Sequence, residues 1–277
     1  MNNKIFNLSN DVFFKAMFSK PKVLAKFLSL YLGENIKEDQ IEYPDKESYE
    51  TITKNSEYDI HAIIKGKERT LVRLDLEMQN VSTRDLAERM VSYESRLFLD
   101  DLKKGEYYNV SKCLSLWILT SVPQFLSNKE KWLSKYNIKD SSGNIISENF
   151  EISLILLPNL DKCPIIELKD LGISFLENNR EKLLTYRFKT DFGREVAYML
   201  DDLNKEIALQ NAAWKEEYNR KYHLGEIKEA KEQGLEQGKL ENKKEMIISM
   251  HKNGIDILTI SKVSNLTIEE IKKIIKM

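Results

Sequence analysis

Residues 69–80 read RTLVRLDLEMQN, and from Val72 onward the residue type alternates strictly: Val72, Leu74, Leu76 and Met78 against Arg73, Asp75, Glu77 and Gln79. Period-two alternation is the pattern of a half-buried β-strand, yet this polar face carries two acids and an amide in succession. Acids are poor strand formers and like charges on one face repel. Asp59 lies 18 residues before Glu77, in a second apolar stretch, EYDIHAII (57–64), and KGKE (65–68) between the two has turn chemistry. The spacing predicts an antiparallel hairpin over 57–79. Two neighbouring strands bring the Asp59 and Glu77 carboxylates to one point, with Gln79 two positions further along the same face. Hard divalent cations such as Mg²⁺ take carboxylate oxygens and leave the rest of their shell to water and substrate phosphate. A cation held there lowers the pKa of a bound water and shields phosphate oxygens. The backbone carbonyl of Met78 is a further candidate ligand. On spacing alone, a solvated strand face is the more ordinary reading of the same residues.

The elements that must position this hairpin follow from local pattern. Residues 10–33 predict two short helices, with Asn10 capping the first, Pro21 early in the second and Gly33 as its stop. Residues 82–105 predict a helix with Ser82 and Asp85 as a capping box and Leu86, Met90, Tyr93 and Leu97 on one face. CLSLWILTS (113–121) has the near-continuous apolar run of a strand buried on both faces, and FEISLILLP (150–158) is a second core strand. IKDSSGNII (138–146) predicts a peripheral hairpin. Asp75 shares the Glu77 face and can be a third ligand, although a surface acid is the expected reading. Asp11 suits a helix N-terminus. Arg89, Tyr93 and Arg96 follow i, i+4, i+7 and can line a phosphate groove, although Tyr93 also fits the apolar stripe. His61 alternates onto the Asp59 face. Lys65, Lys67, Arg69 and Arg73 are expected to be solvated charges about the turn.

With 277 residues, 42% of them hydrophobic, the chain can bury a full core. A net charge of −1 excludes a global basic field, so any nucleic-acid contact must rest on local patches. Two cysteines, Cys113 and Cys163, far apart and in apolar surroundings, exclude a disulfide framework or zinc cluster. The start lacks a signal-peptide apolar stretch and no apolar run approaches bilayer length, which predicts a cytoplasmic protein without membrane contact. The expected organisation is a mixed α/β core over 1–175, a helical extension over 176–224, a charged Gly-containing linker or helix over 225–245, and a small helical unit over 246–277. That last unit has the outline of a minimal helix-turn-helix, with Thr267 and Glu270 capping its third helix. The mixed charges of the tail favour self-association over strong affinity for DNA.

An acid, a gap, and then acid-x-Lys on the next strand is the signature of the PD-(D/E)XK nuclease superfamily, and this chain resembles its recombination-promoting nuclease/transposase branch, whose last position is often Gln. DVFFK (11–15) resembles the branch's opening Asp-x-x-Phe-Lys, LDLEMQN its Glu-Met-Gln strand, and RMVSYESRLFLDDLKKGEYY (89–108) its Arg…Tyr…Gly-x-x-Tyr helix and exit. The resemblance implies a restriction-endonuclease-like core, a central mixed sheet flanked by helices, followed by a helical C-terminal region. It implies Mg²⁺-dependent DNA hydrolysis (Mn²⁺ substituting), with Asp59 and Glu77 holding the metal and Gln79 completing the catalytic set. Asp11, Arg89 and Tyr93 are implied in support or DNA contact, and the biology is bacterial recombination or mobile elements. Tyr58 stands where the superfamily has proline, and Gln79 where it has lysine, so a positive charge is exchanged for hydrogen bonds. Arg73, about 20 Å from Gln79 along an extended strand, is too far to substitute. Gln79 keeps open a second reading, a DNA-binding module without turnover, and the tail a third, a self-associating regulatory protein.

Overall fold

The computed structural model describes residues 3–44, 59–66, 70–80, 83–100 and 111–275. Two short helices open the chain. In α1 (Asp11–Phe18) the Asn10 side chain accepts from the Val12 and Phe13 amides, and Phe13, Phe14, Met17 and Phe18 are buried. α2 (Pro21–Leu32) begins on its proline and stops at Gly33, whose φ of 73° is the left-handed conformation that glycine adopts without a Cβ penalty.

A six-stranded sheet follows, in the order β1-β2-β3-β4-β6-β5. Its strands are β1 (Ile41–Glu42), β2 (Ile60–Lys65), β3 (Thr70–Gln79), β4 (Lys112–Leu119), β5 (Leu133–Lys139) and β6 (Ile145–Leu156). β2 and β3 form the expected antiparallel hairpin, with His61 opposite Asp75 and Ile60 opposite Leu76. β3, β4 and β6 are parallel, and β5 closes the edge antiparallel to β6. β4 is central and almost wholly buried, as its unbroken apolar run requires. The tight turn and the capping box at Ser82 lie outside the described residues, as does the end of the third helix beyond Asp100.

The parallel crossover from β3 to β4 carries α3 (Leu86–Asp100) across one face. There Leu86, Met90 and Tyr93 pack on Trp117, Leu119, Ile152 and Leu154. The opposite face packs Leu74, Leu76, Leu116 and Ile155 beneath α1, α2 and the helices that follow the sheet. Those are α4 (Ile166–Leu176), α5 (Arg180–Thr185) and α6 (Asp191–Leu203). The apolar cluster continues past residue 175 through Leu183, Phe192, Val196, Leu200 and Ala213. A 3.6-residue period marks a helix but does not say which surface covers its apolar face. A buried polar anchor helps to fix α6: Asp170 accepts from the Thr190 amide at 2.7 Å and hydroxyl at 2.8 Å, while Thr190 caps the helix.

The chain divides into two compact units, residues 1–216 and 217–277. α7 (Ile207–Lys252) is continuous, so the charged Gly-containing stretch over 225–245 is helix rather than linker. In the second unit Ile247, from α7, packs with Ile260 of α8 (Ile257–Ser264) and Ile271 of α9 (Ile268–Ile275). Thr267 and Glu270 cap α9 reciprocally, as their spacing predicts. Among the described residues no helix is long and apolar enough to cross a membrane.

Candidate active site

The hairpin does what its spacing predicts. Asp59 immediately precedes β2 and faces Glu77 on β3: its amide donates to Glu77 Oε1 at 2.9 Å, and its own Oδ2 accepts from the Met78 amide at 2.9 Å. Backbone donors thus tie each carboxylate to the other's segment of the hairpin. Glu77 is buried, and Asp75, two residues earlier, is completely so. That overturns the expectation of a surface acid at Asp75, because α3 covers this face of the sheet and alternation cannot reveal a cover. Asp75 Oδ2 accepts from Ser115 Oγ at 3.0 Å, and Ser115 Oγ accepts from Trp117 Nε1 at 2.7 Å. Asp75 Oδ1 finds no donor among the described residues; the Glu77 carboxyl is the neighbour with which it can share a proton.

α1 brings a cation to this acid pair. Lys15 Nζ lies 3.1 Å from Asp59 Oδ1 and 3.1 Å from Asp11 Oδ2. The helix is held at the carboxyl end of β3, where Asn80 Nδ2 donates to the Ser9 carbonyl at 2.5 Å. Its approach is fixed from the other side by Asn204, which accepts from the Phe6 amide at 2.9 Å and donates to the Phe6 carbonyl at 2.8 Å. α3 adds a buried acid from above. Glu94 Oε1 accepts from the Glu151 amide at 3.3 Å, and its Oε2 has no partner among the described residues.

The electrostatics separate this cluster from an ordinary buried acid. Burial pushes Asp59 up to about 6, with Lys15 opposing and Asp11 adding to the rise. Glu77 is pushed well above the usual range by burial and by the charges of Asp75 and Asp59. Burial likewise raises Asp75, and takes Glu94 to about 8. For Lys15, burial alone lowers the pKa, but Asp59 and Asp11 hold it well above the ordinary lysine value. Glu151, on the opposite face, gives the contrast. Burial raises it too, yet Lys112, Tyr31 and Lys135 more than offset that and hold it at about 2. One buried acid is fully compensated; the Asp59–Asp75–Glu77–Glu94 group is left short of positive charge. Uncompensated buried acids in one place make this cluster the candidate functional site.

A hard divalent cation fits the chemistry of this group, an all-oxygen donor set whose mutual repulsion a cation relieves. Among the described residues no group of three or more Asp, Glu, His or Cys side chains has its ligand atoms already arranged around one point. One oxygen each of Asp59 and Glu77 is engaged by backbone N–H, and Asp59 Oδ1 is engaged by Lys15.

The other sequence candidates take definite places. Gln79 ends β3, two positions beyond Glu77 in the alternating pattern and half-buried. Tyr93 packs its ring 5.5 Å from that of Trp117, and the Arg89 guanidinium lies 5.8 Å from the Tyr93 ring and 5.7 Å from the Trp117 ring. His61 is held low, at about 4, by burial and by Arg73. Sequence reading assigned no role to Lys15 or Glu94. Both left a signal: Lys15 stands four residues after Asp11, and Glu94 sits between Met90 and Leu97 on an otherwise apolar stripe.

A central mixed sheet between helical layers, with paired acids across its β2–β3 hairpin, defines a PD-(D/E)XK nuclease-like α/β protein. The family model for the PD-(D/E)XK nuclease family transposase matches residues 8–183, more than half of the chain, and the chain belongs to that family. No curated protein and no solved structure matches it.

Proposed function

We propose that this protein is a metal-dependent DNA endonuclease acting in recombination or transposition. The observation that carries the reading is the Asp59–Glu77 clasp, a half-buried and a buried carboxylate each bonded to the other's backbone segment at 2.9 Å. Asp59 and Glu77 would hold the cation, Mg²⁺ or Mn²⁺, with the Met78 carbonyl, and when bound it supplies Lewis-acid polarisation of the phosphate and an acidified water. Gln79, at the rim, orients the attacking water or the scissile phosphate by hydrogen bonding. Ser115 fixes the Asp75 carboxyl, which keeps Glu77 from turning away from the pair. Arg89, half-buried over two aromatic rings, presents its guanidinium edge to the DNA backbone, and Tyr93 sets its position. The protein acts in the cytoplasm, and a second copy joins through the helical C-terminal region.

Plasmid nicking tests the reading, with purified protein in Mg²⁺, Mn²⁺, Ca²⁺ or EDTA beside a folded Glu77→Ala variant. Cleavage that needs metal and falls by a factor of at least ~10³ in the variant is expected. Cleavage that persists in Glu77→Ala places the chemistry elsewhere. Gln79 is the one feature favouring a DNA-binding module without turnover, since an amide supplies no charge; salt-dependent DNA binding without cleavage under any metal would establish that reading instead.

A further inference from the structure

We propose that Lys15 supplies the fixed positive charge of this site, contacting a non-bridging oxygen of the scissile phosphate from α1 in place of the charge that Gln79 lacks. The inference rests on the hydrolytic reading above and adds a residue to it. β3 offers acids and an amide beyond Val72 and Arg73, so a cation must come from another element. Lys15 Nζ is 3.1 Å from Asp59 Oδ1, while the other oxygen of Asp59 is tied to the Met78 amide at 2.9 Å. The ammonium therefore sits on the carboxylate oxygen that the strand leaves free of its backbone. Its side chain is 37% exposed against 12% for that of Asp59, while Glu77 and Asp75 are buried, so it is the more solvent-facing member of the contact.

The backbone beneath it is rigid. Asn10 caps α1, Asn80 holds its approach, and Phe13, Phe14, Met17 and Phe18 are buried under it. Asp11, one turn earlier, lies beside Asp59 and also contacts the ammonium, at 3.1 Å, so both carboxyls keep it charged. A permanently charged ammonium does not act as a base; it attracts phosphate and stabilises charge that develops there. The plain structural alternative is that Lys15 only braces Asp59. The two roles differ in what happens to metal. A brace, once removed, weakens metal binding together with activity. A substrate-directed cation, once removed, leaves metal binding unchanged or tighter, because it competes for Asp59 Oδ1 and repels the incoming ion.

The experiment compares the full-length wild type with Lys15→Met, Lys15→Arg and the double variant Lys15→Met/Gln79→Lys. Three readouts are taken: Mn²⁺ affinity by calorimetry without DNA, the salt dependence of duplex binding in Ca²⁺, and plasmid nicking in Mg²⁺. Lys15→Met is expected to lose nicking by about 100-fold or more, keep or tighten Mn²⁺ binding, and shed about one phosphate contact from the salt slope. Lys15→Arg keeps the slope, and Gln79→Lys restores at least about tenfold of the nicking lost, because it returns a charge to β3 two positions beyond Glu77. Mn²⁺ affinity falling in step with nicking, an unchanged salt slope, or failure of the double variant to recover overturns the assignment. A wild type that nicks beside an equally active Lys15→Met overturns the Lys15 role alone, whereas a wild type that never nicks under any metal overturns the hydrolytic reading on which it stands.

Discussion

Burial disfavours the ionised forms of Asp59 and Glu94, and that gives the protein a characteristic response to pH. Burial takes Glu94 to about 8 and Asp59 to about 6. A carboxyl whose folded pKa lies above its unfolded value holds a proton in the native state that the unfolded chain has already released, so stability falls as pH rises through that window. The expected result in EDTA is a melting temperature that declines from pH 5 to pH 8.5, with Asp59 acting in the lower part of the window and Glu94 in the upper. Glu94→Gln keeps an acceptor for the Glu151 amide and removes the titration, so the upper part of the decline should flatten; an unchanged slope would show that Glu94 is not its source. A divalent cation acts in the opposite sense because it binds the ionised carboxylates. At pH 8, Mn²⁺ in large excess over its Kd should raise the melting temperature by ~5 °C, and at pH 5.5 by much less. Equal shifts at both pH values would place the metal away from this cluster.

The hairpin was legible because its determinants are local. Asp59 and Glu77 are 18 residues apart through one short connection, and alternation fixes which side chains share a face. The Asn10 cap, Gly33 stop, central β4 and edge β5 were readable for the same reason. Lys15 was not, because its proximity to Asp59 depends on how α1 docks, and docking is set by contacts across most of the first unit. The Asn204 clasp to Phe6 spans 198 residues and the Asn80 bond to Ser9 spans 71. The burial of Asp75 needed knowledge that α3, the crossover helix, covers that face of the sheet. These long-range bonds make a prediction at the level of elements. Asn204→Ala leaves the buried Phe6 amide and carbonyl without partners, which should cost ~2–4 kcal/mol by denaturant unfolding. Asn10→Ala removes the cap and the 2.7 Å bond from Asn10 Nδ2 to Glu216 and should cost ~1–2 kcal/mol. Both loosen α1, so each should weaken nicking more than its stability loss alone explains at a temperature where the variant is fully folded. Nicking that stays at the wild-type level in a folded Asn204→Ala would show that α1 docking does not matter to the site.

Across the whole molecule, the acids and the cation of the candidate site fall between residues 11 and 94, inside the first compact unit and inside the family match over 8–183. The second unit, 217–277, has its own small core of Ile247, Ile260 and Ile271 and exposes Leu235, Leu240, Leu258 and Val263. A unit with so few buried residues is marginal alone, and apolar side chains left on its surface gain from a partner. One hydrolytic site cuts one strand, so a double-strand break needs two sites acting together, and self-association is the way a single-site chain supplies the second. Ile260→Asn places an unpaired amide in that small core and should unfold it without touching the hairpin. The expected outcome is a lower mass in sedimentation, nicked plasmid produced at the wild-type rate, and linear plasmid lost. Wild-type linearisation from a chain shown to be monomeric would mean that the second cut does not depend on a second copy, and nicking lost along with linearisation would mean that the small unit takes part in binding DNA.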